Sequence, residues 1–174
     1  MKKKIEKRLC YLYSGETASI ICFLIVFYFF NLTYPQFQLS ILSSFIVSFF
    51  LLLFILGQGS VYWFIKWRRL KQMGTADIPN KLLLYLKITK KVNLFILMFI
   101  PVLFVIDYQV RSLDVSLIGL LISIFVYLFA VLEYINYFHV QLSYDNKSDL
   151  LWLLRTKKLK RACLSKEFER INLK

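Results

Sequence analysis

From Leu39 to Phe64 the chain runs 26 residues without a charge. As an α-helix that stretch is about 39 Å long at roughly 1.5 Å per residue, more than the roughly 30 Å hydrocarbon core of a bilayer. A soluble domain of this size has nothing to set against all sides of such a helix, whereas lipid does. The composition agrees: 59% of the 174 residues are hydrophobic and 18% aromatic, with a mean hydropathy of +0.60. A water-soluble fold would leave much of that apolar surface in water.

Three other runs share this character. Ala18 to Tyr34 follows a basic start, Met1 to Arg8, that holds five Lys/Arg. No small-residue cleavage site follows, so the run reads as an uncleaved first span and not a signal peptide. Val92 to Ile106 offers only fifteen uncharged residues. It can span only with Lys90 and Lys91 snorkelling at one end and Asp107 at the other interface, where Arg111 is spaced i, i+4 to pair with it. Pro101 inside it removes a backbone donor and should kink the helix, which membrane helices tolerate when a neighbour bonds the freed carbonyl. The last run, Val115 to Leu132, is eighteen residues long and leads into Glu133-Tyr134-Ile135-Asn136-Tyr137-Phe138-His139.

The expected fold class is therefore all-α: a polytopic membrane protein with four transmembrane helices, a basic interfacial loop helix over Lys81 to Ile88 and a basic cytoplasmic C-terminal helix. Residues 1–145 are expected to form the four-helix transmembrane domain and 146–174 a basic cytoplasmic tail. In that tail Leu150, Leu151, Trp152, Leu153 and Leu154 precede Arg155 and Lys157-Lys158-Leu159-Lys160-Arg161, the pattern of a helix lying on a membrane surface.

Charge sets the expected orientation. Lys and Arg number five before the first span, none between spans one and two, eight between two and three, one (Arg111) between three and four, and nine after the fourth. Twenty-two of 23 thus fall on one side, which the positive-inside rule makes cytoplasmic, with both termini in. A net charge of +13 would raise nucleic acid as a partner in a soluble protein. Here the charges sit where topology places them, so the expected partners are anionic lipids at the cytoplasmic face and a protein partner or second copy, not nucleic acid. The Lys/Ile/Leu/Phe-rich composition suits a low-GC bacterium, and the expected location is the plasma membrane.

Cys10, Cys22 and Cys163 form no CxxC pair and have no metal-ligand spacing. Reduced thiols are expected, and neither a metal nor another cofactor. Polar residues recur at the basic end of every span: Glu16 and Thr17, Gln58 and Ser60, Asn93, and Glu133, Asn136 and His139. The small residues of Gly57-Gln58-Gly59-Ser60 favour close helix approach, with Gln58 bonding across it. Glu133, Asn136 and Tyr137 share one helical face. An ionisable residue within a span is a functional hypothesis by default, so Glu133, Asn136, His139, Gln58 and Asn93 form the candidate polar cluster. At about 27 Å down the helix from Val115, Glu133 also fits the inner headgroup layer. One histidine cannot build a multi-His site, and Glu133 has no second intramembrane acid to pair with. The expected function is a small membrane accessory or interaction protein, a partner subunit or an immunity-type protein. The alternatives are an oligomeric transporter or channel component, and a small membrane enzyme using Glu133 and His139.

Overall fold

The computed structural model describes residues 2–110, 116–143 and 147–172. Six helices follow one another: α1 (Lys2–Thr33), α2 (Ser43–Met73), α3 (Asn80–Val110), α4 (Leu117–Phe138), α5 (Lys147–Thr156) and α6 (Cys163–Asn172), with a 3-10 turn at Pro35–Phe37. About 85% of the chain is helical. Among the described residues the β-structure is one isolated bridge, Val140 to Arg161. Helices α1 to α4 are each long and apolar enough to cross a bilayer, and the chain is a multi-pass membrane protein.

The four long helices alternate in direction, and α2 packs against α1, α3 and α4. At 32, 31 and 31 residues, α1, α2 and α3 are each about 46–48 Å long, well beyond the hydrocarbon core. The uncharged runs stop near Thr33, Ser43, Val110 and Leu117, so the surplus turns all project from the end where Lys and Arg gather. Below, this is the basic end; the opposite one is the far end.

One expectation needs correction here. The basic loop helix expected over Lys81–Ile88 is no separate element, but the first turns of a continuous α3. No helix breaker lies between Asn80 and Pro101, so the third span extends through Lys90 and Lys91 instead of starting after them. The break falls earlier. Gly74 ends α2 at φ +76, the left-handed conformation in which glycine is least strained, and Pro79 precedes the first turn of α3.

Pro101 leaves the Leu97 carbonyl without its helical partner, and Tyr127 of α4 donates its hydroxyl to that oxygen at 3.3 Å. The freed carbonyl is re-satisfied from a neighbouring span, as the proline requires. Asp107, expected at an interface beside Arg111, is 3% exposed. Its carboxylate accepts from the backbone N–H groups of Ser44 at 2.7 Å and Ser43 at 3.3 Å. Leu42, the residue preceding α2, supplies no side-chain cap, so α3 caps the N-terminus of α2 across the far end. Arg111 lies outside the described residues, as does Val115 at the start of the expected fourth span.

In lipid the spans gain nothing from leaving water, so close packing and interhelical hydrogen bonds must hold them. Phe27 of α1 meets Phe49 at 4.8 Å and Phe45 at 5.6 Å. Phe23 meets Phe129 of α4 at 5.7 Å, while Ile21, Leu24, Ile25 and Phe29 of α1 face outward. The basic end is different, because there a core shielded from water forms. Leu164 and Phe168 of α6 bury themselves against Tyr62, Leu83, Leu86, Tyr134 and Phe138. Phe168 stacks on Phe138 at 6.4 Å. Backbone bonds hold the approach to α6: Gln141 N–H to Lys160 O at 2.8 Å and Ala162 N–H to His139 O at 3.1 Å. Lys66 pairs with Glu167 at 2.9 Å and Arg170 with Asp77 at 3.0 Å. Helix α5 keeps Leu151 and Leu154 exposed; the side chains of Leu150 and Trp152 lie outside the described ones.

Candidate functional site

Three consecutive residues of α2 turn to three different neighbours, as a step of about 100° per residue dictates. Gln58 and Asn93 of α3 exchange amide hydrogen bonds at 3.0 and 3.3 Å, and Thr89 adds a third to the Gln58 carbonyl at 3.3 Å. Gly59 faces α4 so closely that a Cβ there would overlap the Tyr137 hydroxyl and the ring edge that bears it. Ser60 reaches the hydroxyl of Thr17 on α1 at 3.3 Å. The small-residue stretch does what close approach requires: Gly59 admits Tyr137, and Gln58 makes the bond across the contact.

With Gly59 leaving room, the Tyr137 hydroxyl donates to the Glu16 carboxylate of α1. One turn earlier on α4, Glu133 accepts from Asn136 at 3.4 Å. The Asn136 side-chain oxygen in turn accepts from the backbone of Leu142 at 2.8 Å and Ser143 at 3.3 Å. That folds the chain back once α4 has ended. Glu16 and Glu133 both line a cavity of about 480 Å³ enclosed by α1, α2, α4 and α6. Ile5, Leu9 and Leu12 form its α1 wall, Trp63 belongs to α2, and Leu164 closes it from α6. On α1 and α4 the two carboxylates are the lining residues nearest the bilayer centre. Arg8, Lys160 and Lys166 line it toward the basic end.

The expected polar cluster is therefore divided. Gln58 and Asn93 satisfy one another between α2 and α3, and Glu133 and Asn136 belong to the cavity. His139 is outside both: it is exposed at the end of α4, with its ring 5.5 Å from that of Tyr134. Partial burial and then the nearby charge of Lys90 hold its imidazole below the usual histidine range. Contrary to the expectation that Glu133 has no second acid beside it, Glu16 lines the same cavity. Glu16 comes from the other end of the chain, at the same depth before the first apolar run that Glu133 has after the last. That symmetry is the signal by which the pair could have been found; Tyr137 stands on the helical face of Glu133 and Asn136, whereas Trp63 carries no such signal.

Chemically, two carboxylates facing one cavity can share a proton or take a cation. Lys66, Arg161 and Arg170 pair with Glu167, Glu169 and Asp77. Glu16 and Glu133 take their hydrogen bonds from neutral groups. Among the described residues no three His, Cys, Asp or Glu side chains converge as a metal set would. No family model, curated protein or solved structure matches this chain. Fold and site thus define a class, a multi-pass helical membrane protein with a polar cavity at its basic end.

Proposed function

We propose that the protein is a small plasma-membrane accessory or interaction protein, a partner subunit or an immunity-type protein. Its basic end faces the cytoplasm and works as the docking side, while α5 rests on anionic lipid headgroups. The observation that supports this reading is where the polar groups lie. In the interior of the spans, Gln58, Asn93 and Thr89 bond to one another and Asp107 caps α2. These groups serve packing, and they form no polar path from one end to the other of the kind a transporter uses. The assembled polar surface lies at the basic end, with α6 and the cavity. An enzyme built on Glu133 and His139 has less support, because His139 is not among the residues lining the cavity that holds Glu133.

Photo-crosslinking amino acids placed in living cells would test this. Tyr85 and Leu154 are exposed at the basic end, and Phe125 faces outward in the middle of α4. Adducts with one discrete protein are expected from Tyr85 and Leu154, and lipid adducts from Phe125. Adducts only with a second copy would point to the oligomeric alternative. Lipid adducts from all three sites would remove the accessory reading.

A further inference from the structure

The cavity at the basic end has a chemistry that goes beyond the docking role, and it stands whether or not a partner protein is found. Its volume, about 480 Å³, lies within the range of small-molecule sites. Its inner end carries two carboxylates, Glu16 and Glu133, each bonded to a neutral donor, Tyr137 and Asn136. Each carboxylate therefore keeps acceptor positions open. Half-buried acids of this kind call for a cation or a proton. Toward water the cavity bears basic residues, Arg8, Lys160 and Lys166. That order sets acid inside and base outside.

It suits a molecule that carries opposite charges at its two ends. Arg8 and Glu16 stand eight residues apart on α1, about 12 Å of helix. An extended peptide covers roughly 3.3–3.6 Å per residue, so about three residues bridge that interval. Ile5, Leu9, Leu12 and Leu164 supply apolar wall between the charged levels. An ammonium suits the inner end better than a metal ion, since two carboxylates alone give a hard cation too few protein ligands. Its three N–H donors match the open carboxylate positions.

We propose that this cavity binds an elongated zwitterion, a short peptide being the simplest form, with its ammonium between Glu16 and Glu133 and its anionic end toward Arg8, Lys160 and Lys166. The amine enters first, so the site reads a free amino terminus.

The test uses the full chain in nanodiscs of phosphatidylglycerol, titrated calorimetrically with trialanine, N-acetyl-trialanine and trialanine amide. Trialanine should bind, acetylation should weaken it at least about tenfold, and amidation should cost less. Glu16→Gln and Glu133→Gln, which keep shape and hydrogen bonding, should each weaken binding several-fold, whereas Glu169→Gln on the outer face of α6 should not. Equal binding of the acetylated peptide, undiminished binding by both Gln variants, or no binding of trialanine at millimolar concentration would each overturn the proposal. A phosphatidylethanolamine headgroup also carries an ammonium, so the titration is repeated with that lipid in the disc. Unchanged trialanine affinity supports the soluble ligand, and its abolition would give the cavity to the lipid and overturn a peptide-like occupant.

Discussion

At the far end of the bundle, Asp107 is buried and its oxygens meet the first N–H groups of α2. At the basic end, Glu16 and Glu133 are half-buried, meet one neutral donor each and face a cavity. The same functional group is thus used in two ways. A carboxylate set on a helix N-terminus is matched to partial positive charge and to donors that need an acceptor; its work is finished within the fold. Carboxylates left with neutral partners beside open volume contribute little to folding and remain able to bind. What a buried acid meets, more than its depth, separates structure from site.

The difference in how the ends hold together should give the largest effect. Phe168 is 7% exposed against Phe138 and the core below it, in the part of the molecule where leaving water stabilises packing. Phe168→Ala should cost about 3 kcal/mol of stability and open the Lys157–Arg161 segment to trypsin. Unchanged melting and cleavage would mean that α6 is not docked. Next comes the comparison of acids itself. Asp107→Ala removes the cap of α2 and should cost about 2 kcal/mol, with Asp107→Asn costing less. Glu133→Leu should stay within about 1 kcal/mol of the parent, since replacing a half-buried charge by an apolar group is often neutral. A loss as large as that of Asp107→Ala would erase the distinction between the two ends. The smallest effect should be Tyr127→Phe, which removes one bond to the Leu97 carbonyl. Interhelical bonds in membranes average about 0.6 kcal/mol, and a thermal shift in detergent can register that.

Much of the architecture was readable from charge and length. Runs of uncharged residues mark four spans because lipid tolerates little else, and Pro101 announced that a neighbour must supply a donor. The identity of that donor, Tyr127, was hidden, since pairing between helices leaves no periodic trace. Similarly, α6 was read within one basic tail: Leu164 and Phe168, four apart, are too few to stand out among Lys166, Glu167, Glu169 and Arg170. Lys90 and Lys91 mark a boundary by charge alone, yet long basic turns can project from a span into water, and α3 runs through them. The site is half visible in the sequence. Glu133 and Asn136 share a helical face, but only depth joins Gln58 and Asn93 to them, and depth does not say which way a side chain turns. Glu16 lies 117 residues before Glu133 in the chain, and only the antiparallel packing of α1 and α4 about α2 makes them neighbours.

The proposed docking role requires the basic end to face the cytoplasm. In a chain with Cys10, Cys22 and Cys163 replaced by serine, single cysteines at Gln36 in the far-end turn and at Lys158 before α6 would be probed in intact cells with a membrane-impermeant maleimide. Both positions are exposed. Gln36→Cys should react at once and Lys158→Cys only after the membrane is permeabilised. The opposite order, or reaction of both from the same side, would contradict the account.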